Sequence, residues 1–350
     1  MMRINYNFSA NIPLSDPEYP QKAKHLKNAG VETVWLFGYF YGQWESSVEK
    51  LYKAKKILED DGFEVCAINI PFGHGGNALD PSNPSISLDI GIGWQNRTDA
   101  NGNSLINTVC CANEQFLHDS VDVVKSLKEI GITKIFYDDD MRLGGWGTDL
   151  QGCFCEHCLE RFNYKHGVNA DRRQIITNPS LEEPWKAFQC ASILNFVKTV
   201  SLDDITTGVM VMHNGDRQHG IDIPLIKQNI PSILFRVGEG HFDNESFAHP
   251  LAEKAIVSSI HTHMRLVEND ELCYSESTVY PKKALSPENL IKKIKLEISC
   301  GLKNIYLMSG TWYLTPEYWE ALANARSELL ELDASVHEPK HPECNLIWHI

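Results

Sequence analysis

The sequence predicts an α/β protein closed into a (β/α)8 barrel, and two observations carry that expectation. Short β-rich runs alternate with amphipathic helical stretches along almost the whole chain, eight runs in all, in the order such a barrel needs. The fourth run, Ile135-Phe136-Tyr137, ends abruptly in Asp138, Asp139 and Asp140. A buried strand that delivers acids at its C-terminal end is where a barrel of this kind keeps its chemistry. A doubly wound open sheet is the competing arrangement, but no Gly-x-Gly-x-x-Gly follows an early strand.

The elements follow in order. Residues 3–8 (RINYNF) form a first strand, 20–29 a helix that stops at Gly30, and 32–37 (ETVWLF) a second strand. Residues 47–60 carry Val48, Leu51, Tyr52, Ile57 and Leu58 at helical spacing, and after Gly62 residues 63–70 (FEVCAINI) form a third strand. Residues 71–107 break the rhythm, being rich in Gly, Pro, Asn and Ser, and read as a long functional or mobile loop. Residues 113–129 are a strong helix, with Phe116, Leu117, Val121, Val124 and Leu127 on one face, and the acid-tipped strand comes fourth. Beyond it lie a helix at 185–200, strands at 207–213 (TGVMVMH) and 232–237 (SILFRV), and a helix at 248–260. A seventh strand at 271–276 (ELCYSE), a helix at 287–300 closed by Gly301, an eighth strand at 303–308 (KNIYLM) and a helix at 316–332 complete the set. The barrel is expected to span residues 1–336. Residues 337–350 are an extension or the start of a further domain, with 345–350 (NLIWHI) reading as a ninth strand.

Composition agrees with one large domain: 350 residues, 43% hydrophobic and 22% charged, ample for a full core. The net charge is −14, and basic residues cluster no further than pairs such as Lys282-Lys283 and Lys292-Lys293. That argues against nucleic acid or an anionic membrane as a partner and leaves a small molecule, with homo-oligomerisation open. The start, MMRINYNFSANIP, lacks the basic-then-apolar pattern of a signal peptide, and no apolar stretch approaches about 20 residues. Ten cysteines are too scattered for a disulfide scaffold, and Cys66, Cys273 and Cys300 sit in apolar runs as buried thiols. A reducing compartment, the cytoplasm, is expected.

The strand ends supply the candidate site. In order they present Asn7, Tyr39, His74, Asp138 to Asp140, His213, Glu239, Glu276 and Trp312. Polar residues gather at strand ends simply because those ends meet water, so no single one is diagnostic. Carboxylates closing strands four, six and seven together, among aromatics such as Tyr39, Trp146 and Trp312, are more informative. Sugar rings have apolar faces that stack on such side chains. Successive strand residues point to opposite sides, so Asp138 and Asp140 share one direction and Asp139 faces the other. Like charges this close raise one pKa and create a proton donor, an effect that Arg142 would oppose. His74 lies in Phe72-Gly73-His74-Gly75-Gly76, which lacks the Lys-Ser/Thr of a phosphate loop and reads as a flexible connection.

The loop after strand four carries Cys153-x-Cys155-x-x-Cys158 just before a helix start. Three thiolates held in one turn leave water cheaply only if a soft cation compensates them, which predicts structural zinc. His157 can stand in for one of the cysteines.

Acids closing strands four and seven resemble the arrangement of clan A glycoside hydrolases, TIM barrels with an acid/base after strand four and a nucleophile after strand seven. The cysteine run narrows the resemblance to family 42 β-galactosidases, which complete Cys-x-Cys-x-x-Cys with an upstream cysteine around zinc. The resemblance implies Cys110 or Cys111 as the fourth ligand, Asp140 as general acid and Glu276, in Tyr274-Ser275-Glu276-Ser277, as nucleophile. The clan pattern at strand four is Asn-Glu, whereas this chain has Asp139-Asp140. The shorter acid draws one carboxyl back, so inversion, or loss of glycosidase activity, becomes an outcome to test. Two other classes fit the same residues. In a metal-dependent sugar isomerase or epimerase, Asp138 or Asp140, His213, Glu239 and Glu276 would hold a divalent cation. In a carbohydrate-binding barrel, catalysis would be lost.

Overall fold

The computed structural model describes residues 1–71, 90–138, 141, 143, 151–211, 217–238, 240–310 and 312–337. Eight parallel strands close on themselves: β1 (Arg3–Phe8), β2 (Val31–Phe40), β3 (Glu64–Ile70), β4 (Lys134–Tyr137), β5 (Thr206–Val211), β6 (Leu234–Val237), β7 (Cys273–Tyr274, resumed at Ser277–Thr278) and β8 (Asn304–Met308). Each pairs with its neighbours in sequence, and β1 pairs with both β2 and β8, so no edge is left open. The helices α1 (Tyr19–Ala29), α2 (Val48–Asp60), α3 (Glu114–Glu129), α4 (Pro179–Val200), α5 (Ile223–Asn229), α6 (Ala252–Val267), α7 (Pro287–Ser299) and α8 (Pro316–His337) follow the strands one by one. The predicted barrel is therefore the observed one. Among the described residues no helix is long and apolar enough to cross a membrane.

Strand alternation sorts the core into two layers. Ile135, Tyr137, Val209, Phe235 and Ile305 pack outward against the helices. Trp35, Cys66, Ile68, Phe136, Leu234, Tyr274 and Tyr306 fill the interior. Gly208 on β5 belongs to that packing, since a Cβ there would lie 2.6 Å from the Phe136 ring. A third cluster, with Cys110, Phe154, Phe162, Trp185 and Phe188, lies under the excursion between β4 and α4.

The helices begin where the side chains say they should. Ser47 caps α2 by accepting from the Lys50 N–H, Asn113 caps α3 by accepting from Phe116, and Ser286 caps α7 by accepting from Asn289. Some elements differ from expectation. Within 71–107 the strands Asn96–Thr98 and Ser104–Val109 form an antiparallel hairpin, which the turn-rich composition conceals. The seven-residue α5 is too short to show a helical period. The strand expected over 271–276 is interrupted at Ser275-Glu276, where the backbone leaves regular pairing. The ninth strand expected at 345–350 lies outside the described residues.

Candidate active site

Asp138 and Glu276 meet inside the barrel at the C-terminal ends of their strands. Because Phe136 points inward, Asp138 two residues later does too, and only 6% of it is exposed. Glu276, in the break of β7 just past Tyr274, is 3% exposed. Between them stands Arg236 of β6, itself 3% exposed. Its Nη2 lies 2.5 Å from Asp138 Oδ1 and 3.2 Å from Glu276 Oε1, so one guanidinium nitrogen joins two carboxylates from different strands. The guanidinium also touches the sulfurs of Met210 and Met308, and its centre lies 5.5 Å from the middle of the Tyr306 ring. A guanidinium carries its charge throughout the working pH range, and this one supplies the countercharge for both acids. Sequence reasoning missed Arg236. Its signal was a lone cation in an apolar strand, two residues from Leu234 and so on the inner face.

The backbone of Glu276 is held from behind. Its carbonyl accepts from Lys293 Nζ at 2.8 Å, and that ammonium also donates to the Gly240 carbonyl at 2.7 Å. Ser277 donates to Glu297 at 2.6 Å, and the Ser275 and Ser277 hydroxyls lie 2.7 Å apart. Burial pushes the Glu297 carboxyl pKa up, while Lys293 one turn earlier and the serine hydroxyls pull it back.

Past the ends of the last two strands, Trp312 beyond β8 stacks on Tyr280 beyond β7, ring centres 5.8 Å apart and planes 26° apart. Its carbonyl accepts from Ser309 Oγ, and the Ser309 carbonyl accepts from Asn7 at the end of β1. Tyr39 is not brought to the pair. The β2 register shifts between Phe37 and Phe40, which leaves Phe40 inside and turns Tyr39 to the helix side, beside Trp44 and Trp94. Asp139, Asp140, Arg142, His74, His213, Glu239 and Trp146 lie outside the described residues.

The cysteines form a second centre. Cys110, at the end of the hairpin, joins Cys153, Cys155 and Cys158, with all four sulfurs within 4.8 Å of one another and buried. Cys110 Sγ lies 3.5 Å from Cys158 Sγ and 3.8 Å from Cys155 Sγ. Four sulfurs each about 2.3 Å from a central ion in a tetrahedron would be roughly 3.8 Å apart, so the set can hold a metal ion. Cys111 packs into the main core instead, and His157 is exposed. Hydrogen bonding with Cys110 lowers the pKa of Cys153 and Cys155, while hydrogen bonding within the same cluster raises that of Cys110 and Cys158. Such crowding of sulfurs suits a cation that would take them all as thiolates.

No protein-family model matches this sequence, and no curated protein matches it. Solved structures do resemble the fold. The glycoside hydrolase domain of PgaB (BpsB) from Bordetella bronchiseptica aligns with a TM-score of 0.61 at 12% identity, covering 97% of this chain and all of that one. A GH18 chitinase from Pseudoalteromonas aurantia aligns at 0.46 and 13% identity, covering 93% of this chain and all of that one. D-Psicose 3-epimerase from Clostridium cellulolyticum H10 aligns at 0.42 and 10% identity, covering 97% of this chain and all of that one. The likeness to the PgaB domain supports the barrel and says nothing of the reaction, and the other two are too distant in shape to carry an argument.

Proposed function

We propose that the chain is a glycoside hydrolase acting on a small oligosaccharide or glycoside. The observation that carries this reading is the pair Asp138 and Glu276, from strands four and seven, sharing one nitrogen of Arg236. Two oxygens at 2.5 and 3.2 Å from one atom can be no farther apart than those contacts laid end to end. That limit sets a second acid beside the proposed nucleophile, and the spacing of donor and nucleophile that decides between retention and inversion is read from the anomer released.

In this reading Glu276 attacks the anomeric carbon as the bond to the leaving oxygen breaks. The proton for that oxygen comes from Asp140, the acid that the glycoside hydrolase resemblance puts in that role. A water then attacks the glycosyl–enzyme bond, giving its proton back to Asp140 and releasing Glu276. Arg236 holds Glu276 in line and balances its charge. Trp312, backed by Tyr280, offers an aromatic face to a sugar ring, while Asp139, His74, His213, Glu239 and Trp146 are proposed to line the rest of the subsite.

Arg236 also weighs against the metal-dependent isomerase. A guanidinium already stands between Asp138 and Glu276, where a divalent ion using both would have to sit, and two cations cannot share that space without repulsion. For the cysteine cluster we propose structural zinc, since a closed four-thiolate set has no open position for catalysis and ties the excursion after β4 to the hairpin. This is the arrangement that the family 42 resemblance implies, with Cys110 as the upstream ligand.

The test is hydrolysis of a panel of 4-nitrophenyl glycosides, with the anomer of the released sugar followed by NMR. Turnover with retention, lost in Glu276→Gln, supports the reading. Turnover that stops on mild chelation moves the assignment to metal chemistry, and sugar binding without turnover leaves a binding barrel.

A further inference from the structure

The interruption of β7 puts Glu276 where no strand can hold it, and the chain uses buried charges to do so. Tyr306 N–H, which in an unbroken ladder would reach a backbone carbonyl, donates to Ser275 Oγ at 3.0 Å. That hydroxyl leads to Ser277 and then to the Glu297 carboxyl. The Glu276 carbonyl is taken by the Thr278 N–H at 2.9 Å and by Lys293 Nζ. Lys293 and Glu297 are fully buried on the core-facing stripe of α7, with Leu290, Ile294 and Ile298.

Two buried charges on a core stripe are a costly way to fill space, because apolar side chains of similar volume would do it at least as well. Their partners are informative. Lys293 acts on Glu297 through its charge, while its ammonium bridges the carbonyl of Glu276 and the carbonyl of Gly240, the residue after Glu239. One cation thus ties together the chain ends of β6 and β7. It also lies 5.1 Å from the centre of the Phe242 ring in the same β6 connection.

We propose that Lys293 and Glu297 are positioning residues that fix the main chain of Glu276 and so aim its carboxylate at Arg236 and the barrel axis. Neither side chain enters the barrel; both act through the backbone and hydroxyls on its outer side. The inference rests on Glu276 being the working carboxylate, which is the glycosidase reading above, but its test does not depend on turnover.

The experiment compares the full chain carrying Lys293→Met, and separately Lys293→Met with Glu297→Leu, against the wild type. The double variant removes both buried charges together and keeps the stripe apolar, so it folds even where the single variant is weakened. The first readout is 13C NMR of the Glu276 carboxyl carbon, assigned by its disappearance in Glu276→Gln and followed through a pH titration. The expected result is a displaced resonance and a titration midpoint moved by about one pH unit or more in both variants, while melting shows the double variant folded. An unchanged resonance and midpoint in the folded double variant overturn the proposal. The second readout is 4-nitrophenyl glycoside hydrolysis, where kcat falls at least tenfold with KM nearly unchanged. Should the wild type hydrolyse nothing, the glycosidase reading fails while the carboxyl resonance still decides the positioning role.

Discussion

Arg236 brings its Nη2 within 2.5 Å of Asp138 Oδ1, joining the sixth strand of the barrel to the end of the fourth at a point where neither side chain is more than 8% exposed. The same nitrogen reaches Glu276, so one residue supplies charge balance to both acids. Arg236→Met would leave two carboxyls facing each other in an apolar barrel. Breaking a buried pair in this way costs about 3–5 kcal/mol. Urea unfolding of the variant is expected to show that loss, and Arg236→Lys, which cannot reach both acids in one plane, to recover only part of it. A loss below about 1 kcal/mol, the level of a surface ion pair, would mean that the guanidinium is not buried between the acids.

Glu276→Gln keeps the size and the hydrogen-bonding reach of the side chain while removing its charge. Asp140→Asn does the same for the proposed proton donor. Each is expected to lower kcat on a responsive aryl glycoside by roughly 10²–10⁴-fold while far-UV circular dichroism and melting stay close to the wild type. Near-normal rates in either variant would take that residue out of the mechanism.

Cys155→Ser opens the four-sulfur cluster without changing its volume much. Metal content by elemental analysis is expected to fall from about one ion per chain toward zero, and Tm to drop by roughly 5–10 °C. Hydrolytic activity of the protein that remains folded should persist, because the cluster packs with Phe154, Phe162 and Trp185 under the excursion after β4. An unchanged stoichiometry would show that the cysteines are not the metal's ligands.

The barrel was legible because its signals are repetitive: Phe136 and Asp138 alternate with Ile135 and Tyr137, and helices such as α3 carry a full apolar stripe. What escaped reading depends on contacts between distant strands. Arg236 stood out only as a cation inside Leu234-Phe235-Arg236-Val237, and nothing local says that two acids wait for it across the barrel. Lys293 looks like one of a crowd of surface lysines with Lys292 and Lys295, although its spacing from Leu290, Ile294 and Glu297 sets it on the buried stripe. The break in β7 could not be foreseen, since the Ser275 hydroxyl takes the Tyr306 N–H that a ladder carbonyl would otherwise accept. Between Cys110 and Cys111 the choice turned on which sulfur the hairpin presents to Cys158, a fact of tertiary placement.

The opposite end of the barrel offers a test of stability separate from the site. Glu271, just before β7, accepts from Lys303 Nζ at 2.7 Å and from Arg3 Nη2 at 2.5 Å, fastening the starts of β1 and β8 to the same carboxylate. Hydrogen bonds from Lys303 and then Arg3 lower its pKa from the ordinary 4.5 to about 2. A carboxyl whose pKa is depressed by folding stabilises the native state above its unfolded pKa, and that contribution disappears as pH falls through the folded value. Half of the Glu271 side chain is exposed, so solvent screening holds the contribution below about 1 kcal/mol. Glu271→Gln is therefore expected to be slightly less stable than the wild type at pH 7, with the gap closing between pH 4.5 and about 2. Because high salt screens exposed pairs, 1 M NaCl should narrow the gap at pH 7 as well. Equal stability at low salt and pH 7 would mean that the two cations do not hold this carboxylate in solution. A gap that widened on acidification would reverse the sign of the linkage and refute the assignment.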